Sequence, residues 1–297
     1  MTNSWKDALD NAAKSDIWLA GIGCFAHVIG IGNTGYVVKK SLKHPVVPDL
    51  LPGEKRIYER LGRHPFILQY YGEYQHNINQ SNGVPSGLVF QCLPGGTIAE
   101  KLDLSEYPEQ RPLWPMQAVK AIQYIHSKNV IHCDIGCHNF LIKEDGSIVL
   151  ADFGGSMIDN TAPNVTYASR YQRPFPPEKE FEDVLFLTIK DDIFALGTLI
   201  YEMTVGHRLY PDQQSRDIER LLRERTFPAL DDLPMRIQTV ISKCWGEKYE
   251  SADEVLQDLE PSGSPCESVI ASSSYSSGLW VELLVTALLL MRWKRKL

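Results

Sequence analysis

His132-Cys133-Asp134-Ile135-Gly136-Cys137-His138-Asn139, followed by Asp152-Phe153-Gly154, is the stretch whose reading decides the fold. Between the two, residues 140–142 and 148–150 are short apolar runs around the turn Glu144-Asp145-Gly146, a pattern that predicts a hairpin. Such a hairpin brings Asn139, just before its first strand, close to Asp152, just after its second. An amide oxygen and a carboxylate then converge on a point where a hard, oxygen-seeking cation such as Mg²⁺ can sit. Asp134, upstream in the same loop, is placed to accept a proton from a hydroxyl that attacks a metal-bound phosphate.

H-x-D-x-x-x-x-N followed at this distance by D-F-G resembles the eukaryotic protein kinase family. The resemblance covers roughly residues 17–260. It implies an α+β, two-lobed fold with a small N-lobe β-sheet carrying one helix and a larger, mainly helical C-lobe. ATP and Mg²⁺ would lie between the lobes. The chain then divides into a leader of weak helical character (1–16), the N-lobe (17–93), the C-lobe (94–260), a Ser/Pro-rich linker (261–278) and an apolar-basic tail (279–297).

Two glycine patterns compete for the phosphate-covering loop. Gly30-Ile31-Gly32-Asn33-Thr34-Gly35 matches G-x-G-x-x-G to the letter, whereas Gly21-Ile22-Gly23-Cys24-Phe25-Ala26-His27-Val28 has alanine in the third glycine place. Geometry favours the imperfect one. In a kinase the loop joins the first two strands and the phosphate-pairing lysine sits on the third. A strand and a turn fit between Ala26 and Lys39, but not between Gly35 and Lys39. Gly21, Gly23, Ala26 and Val28 are therefore expected to cover the nucleotide. The second pattern reads as the turn between strands two and three, where Asn and Gly supply positive φ.

Tyr36-Val37-Val38-Lys39 has the form of the family's strand with its lysine, and alternation turns Lys40 to the opposite face. Residues 52–61 read as a short helix with Pro near its start and Glu54, Tyr58 and Leu61 on one face. The resemblance then pairs Glu54 with Lys39, in preference to Glu59, which lies well around the helix. Leu88-Val89-Phe90-Gln91-Cys92-Leu93 is an apolar strand running into Pro94-Gly95-Gly96. By resemblance, Phe90 guards a small rear pocket, and the backbone of Gln91 and Leu93 meets adenine.

Downstream, residues 114–128 read as a buried helix leading into the catalytic loop. The segment 155–175 carries Thr161, Thr166, Tyr167, Ser169 and Tyr171, and Pro176-Pro177-Glu178 stands where the family has A-P-E. Asp192 opens an apolar helix to Met203 and, by resemblance, anchors the catalytic-loop backbone. Lys39, Glu54, Asp134, Asn139 and Asp152 thus supply the phosphate-pairing lysine, its helix partner, the base and two metal ligands.

The departures surround these five. Ala26 stiffens the glycine loop. Cys133 replaces the arginine that, in many relatives, pairs with a phosphorylated activation loop. A neutral thiol leaves no charge waiting for a phosphate, so activity without loop phosphorylation is expected unless Arg170 or Arg173 supplies the missing cation. Gly136 stands where Ser/Thr kinases have a lysine near the γ-phosphate, and His138 where Tyr kinases have an arginine. Losing that cation removes about 2–4 kcal/mol of transition-state stabilisation by analogy with other preorganised groups. A protonated His138 would replace part of it. Tyr249 takes the place of the arginine that usually pairs with the A-P-E glutamate.

A net charge of −7 argues against nucleic acid as the main partner. Six scattered cysteines without a C-x-x-C pair read as free thiols of a reducing cytosol. The apolar run 17–32 lacks the basic flank of a secretory signal. As a helix, the tail run 279–291 would reach about 20 Å against a hydrocarbon core of about 30 Å. It favours an interfacial helix or packing on the lobe over a tail anchor.

The expected function is ATP-dependent phosphoryl transfer to a protein hydroxyl, Ser/Thr by base rates, in the cytoplasm. The alternatives are a pseudokinase that binds nucleotide and works through contacts, and a small-molecule kinase. The last would not normally carry D-F-G, P-P-E and the Asp192 helix together.

Overall fold

The computed structural model describes residues 4–42, 48–76, 82–103, 105–174 and 187–260. Pro176-Pro177-Glu178, the linker 261–278 and the tail 279–297 lie outside the described residues.

The chain starts with α1 (Ser4–Asp10), β1 (Ile17–Ile22), β2 (Ala26–Ile31) and β3 (Tyr36–Ser41). Then follow α2 (Leu51–Leu61), β4 (Tyr70–Tyr74) and β5 (Gly87–Gln91). The strands form one five-stranded antiparallel sheet in the order β1-β2-β3-β5-β4. Side-chain alternation splits β3 between the two faces. Val37 joins the main core with Phe90, Ile57 and Tyr58, while Val38 packs on the other face with Trp5, Leu9, Tyr74 and Val89. The segment read as a leader of weak helical character therefore holds a helix whose Trp5 and Leu9 are buried, and the Tyr74 hydroxyl donates to Asp10 at 2.8 Å.

Positive φ in the turn between β2 and β3 falls to Gly32 (47°) and Gly35 (77°) and not, as the sequence suggested, to Asn33. Gly30 has a different use. A Cβ there would collide with the indole of Trp18, its partner across β1 and β2. The exact G-x-G-x-x-G match thus holds a tight turn and a seat for a tryptophan.

The second half holds α3 (Trp114–Ser127), β6 (Val130–Ile131), β7 (Phe140–Ile142), β8 (Ile148–Leu150) and β9 (Met157–Ile158). It ends with α4 (Ile189–Val205), α5 (Ser215–Arg223), α6 (Met235–Trp245) and α7 (Ala252–Leu259). The expected hairpin is β7 and β8, paired from Phe140↔Leu150 to Ile142↔Ile148. Gly146 takes the left-handed position of its turn (φ 76°). α4 begins at Ile189, ahead of Asp192, because Thr188 and Asp191 form a reciprocal cap at its N-terminus. Every residue from Asp191 to Met203 is buried, so α4 is the central rod of this half.

Candidate active site

Three charged groups from distant parts of the chain meet first. Alternation on β3 puts Lys39 on the cleft side, opposite Val28 of β2. Its Nζ lies 2.8 Å from Glu54 of α2 and 2.8 Å from Asp152. Glu59, the rival partner, is exposed. Burial works against the Lys39 ammonium, but the two carboxylates outweigh it and hold its pKa above the ordinary lysine value. Glu54 is fully buried, and that burial pushes its pKa up despite Lys39. Burial also acts to raise Asp152, yet the Lys39 charge prevails and keeps it below the usual carboxylate range.

The β7–β8 hairpin does what its spacing required. Ala151 N–H donates to the Asn139 carbonyl at 2.8 Å, which closes the hairpin base and leaves Asp152 next to Asn139 in the cleft. Asp152 adopts φ 60°, unusual for a residue with a side chain. Phe153 behind it is buried between Tyr58 (5.1 Å) and His132 (4.9 Å). The packed ring pins the backbone that presents Asp152 to the cleft.

Asn139 donates its amide to the Asp134 carbonyl oxygen at 2.8 Å and to Asp134 Oδ2 at 3.0 Å. With the amide nitrogen committed, the Asn139 side-chain oxygen is the atom left for a cation. Asn139 and Asp152, two oxygen donors beside a lysine, suit a hard ion that also holds phosphate oxygens. The donor set fits Mg²⁺ in company with a nucleotide. Among the described residues no cluster of three or more His, Cys, Asp or Glu exists to hold a metal alone.

Asp192 secures the loop from below. Buried at the start of α4, it accepts hydrogen bonds from the backbone N–H of His132 (2.9 Å) and Cys133 (3.1 Å), from His126 (2.8 Å) and from Tyr167. Burial alone would raise its pKa, but the His126 hydrogen bond and charge hold it low. The anchor makes room for Cys133 at φ 67°. Cys133 is buried, and desolvation pushes its thiol far up. Cys24, Cys92, Cys133, Cys137 and Cys244 are all free thiols.

One wall of the cleft is built from the sheet and the segment after β5. Gly21 lies in β1 opposite Val28, and Gly23 opens the turn to β2, its N–H donating to the Ala26 carbonyl at 2.9 Å. Gly21, Val28, Phe90, Gln91 and Leu93 line one cavity of about 540 Å³ with Lys39, Asn139 and Asp152. Gly23 and Ala26 line the adjoining space with Asp134 and His138. Phe90 packs 4.8 Å from Tyr58 and 5.5 Å from Tyr70, so aromatic rings fill the space behind it. β5 stops at Gln91, short of the Leu93 expected from hydropathy. There the Gln91 N–H goes to the Gln69 carbonyl and the Cys92 N–H to the Gly35 carbonyl, whereas Leu93 donates to no described residue.

Trp18 and several contacts at the site escaped sequence reading. Trp18, half exposed, lines the outer wall of the cavity with Thr97 and Glu100. Tyr167 and Tyr171 plug the segment 155–174 into the lobe through Asp192 and Glu202. Arg170 donates to the Leu209 carbonyl, and Arg173 is bound to Asp191 (2.9 Å) and Glu247 (3.1 Å). Arg173 is therefore ion-paired within the lobe, and Arg170 has one donor committed there. Tyr249 is buried with its hydroxyl donating to Asp258 at 2.6 Å. A Gly or aromatic motif could have flagged Trp18 only with its partner Gly30 in view.

A two-lobed α+β fold with a paired lysine and glutamate, a cleft aspartate and an anchored loop defines the protein kinase class. A family model of the protein kinase domain matches residues 19–258, and the chain belongs to that family. The chain is 28% identical over 224 residues to serine/threonine-protein kinase RUNKEL of Arabidopsis thaliana, covering 73% of this chain and 16% of that protein. It is 32% identical over 191 residues to Aurora kinase A-A of Xenopus laevis, covering 64% and 44%. To the mouse serine/threonine-protein kinase TNNI3K it is 26% identical over 288 residues, covering 86% and 33%. The chain spans less than half the length of these relatives. No helix among the described residues is long and apolar enough to cross a membrane.

Proposed function

We propose that the chain transfers the γ-phosphoryl group of ATP to a protein hydroxyl, with Ser/Thr as the acceptor. The carrying observation is the Lys39–Glu54–Asp152 cluster facing Asp134 and Asn139 across one cleft. In this reading Lys39 pairs with the nucleotide phosphates, and Glu54 holds it in place. Asn139 and Asp152 hold Mg²⁺, which when bound neutralises phosphate charge. Gly21, Gly23, Ala26 and Val28 cover the nucleotide, and the backbone at Gln91 and Leu93 faces its base. Asp134 takes the proton of the attacking hydroxyl. Its Oδ2 is occupied by Asn139 and His138, so Oδ1 is the oxygen that meets the substrate. The Ser/Thr assignment leans on the names of the relatives, since the lysine or arginine that separates acceptor classes is missing from the loop.

Transfer from Mg-ATP to the protein itself or to a generic substrate, measured for wild type and Asp134→Asn, tests the reading. Transfer by wild type that Asp134→Asn abolishes supports it. Nucleotide binding with no transfer by either protein replaces it with a pseudokinase.

A further inference from the structure

Gly136 is the departure with the clearest physical cause. Its φ of −178° is extended backbone open to any residue, so conformation does not demand glycine. Space does. A Cβ at 136 would stand 2.6 Å from Cε1 and 2.8 Å from Nδ1 of His138, and 3.1 Å from Cε2 of Tyr171. The His138 ring lies across the glycine, edge-to-face with Tyr171 at 6.2 Å, and its Nε2 reaches Asp134 Oδ2 at 3.2 Å. Tyr171 cannot yield, because its hydroxyl accepts from Cys137 N–H (3.2 Å) and donates to Glu202.

We infer that His138 is a positioning residue for Asp134, and that Gly136 is glycine because the imidazole lies where a side chain at 136 would begin. The inference rests on the reading of Asp134 as the proton acceptor. One Asp134 oxygen receives two donors, Asn139 Nδ2 and His138 Nε2, which fixes the carboxylate plane and aims the other oxygen out of the loop. Elsewhere in the family a cation at 136 or 138 serves the phosphate. Here the imidazole N–H is turned onto the carboxylate instead. The two positions are therefore coupled, and a side chain at 136 is compatible with the loop only when the His138 ring moves off Asp134.

The test uses the full chain with Mg-ATP and a protein substrate. His138→Leu, which keeps bulk and removes the donor, should lower kcat about tenfold or more with the KM for ATP within about twofold. His138→Gln, which restores an N–H at similar reach, should recover most of that loss. Gly136→Ala should lower kcat beside His138 and cost much less in the His138→Gln background, the non-additivity expected of two side chains that compete for one space. An active wild type with unchanged kcat in His138→Leu overturns the inference and leaves the kinase reading standing. Additive Gly136→Ala and His138→Gln effects overturn the coupling. No transfer by wild type at all overturns the reading beneath it.

Discussion

The two walls of the cleft are held in opposite ways. On the nucleotide side, Lys39, Glu54 and Asp152 come from a strand, a helix and a loop and are tied by full charges within 2.8 Å. On the substrate side, the catalytic loop and residues 155–174 are tied by tyrosine hydroxyls, a histidine and backbone N–H groups onto buried Asp192 and Glu202. The charged cluster admits little substitution, because removing one member strands another in a low-dielectric site. The substrate side admits rewiring, because one hydrogen-bond donor can stand in for another. That contrast explains why the sequence keeps Lys39, Glu54 and Asp152 and departs in the loop at 133, 136 and 138.

The largest effects should come from breaking the nucleotide side. Asp152→Asn should cut transfer by about a thousandfold and weaken Mg-dependent nucleotide binding, which calorimetry of the complex reads directly. Asp134→Asn should match the loss in transfer and leave that binding intact. Equal effects of both on binding would erase the distinction between the two walls.

Next comes the stranded charge. Lys39→Met leaves Glu54 buried without its cation, at a cost of about 3 kcal/mol in urea unfolding. Glu54→Gln added to it should return most of that stability. The sign with pH follows from the raised Glu54 pKa. A carboxylate whose folded pKa lies above its unfolded value, about 4.3, is destabilising once it must ionise. The deficit of Lys39→Met should therefore be absent below about pH 4 and grow as the pH rises.

The hydrogen-bonded anchors of the substrate side should respond less. Tyr171→Phe removes a donor to Glu202 and an acceptor for Cys137 N–H, and should cost about 1–3 kcal/mol of stability. Replacing Thr161, Thr166 and Ser169 together with alanine should change activity by less than about tenfold, or 1.4 kcal/mol in the barrier. A larger loss would show that a loop phosphate orders the segment despite Cys133 and the ion-paired Arg173.

Much of this was legible in the sequence because the deciding spacings are short. The hairpin from Phe140 to Leu150 fixes Asn139 against Asp152 with no help from the rest of the chain. The strand period places Lys39, and the helix period places Glu54 rather than Glu59. What stayed hidden depends on partners far apart. Nothing near Tyr171 announces Glu202, and Gly30 explains itself only once Trp18 lies over it. Hydropathy carried β5 on to Leu93, since it cannot see that the last ladder hydrogen bonds, from the Gln91 and Cys92 N–H groups to Gln69 and Gly35, leave Leu93 beyond the ends of both neighbouring strands. Gly136 read as the loss of a lysine, and the ring of His138 above it gives the loss its cause.

The most direct test of the account is the rate of phosphoryl transfer from radiolabelled Mg-ATP by phosphatase-treated wild type, run beside Asp134→Asn with both nucleotide affinities measured. The expected result is steady transfer by the dephosphorylated wild type, none by Asp134→Asn, and equal affinities for the nucleotide. Tight Mg-ATP binding by both with transfer by neither would contradict it.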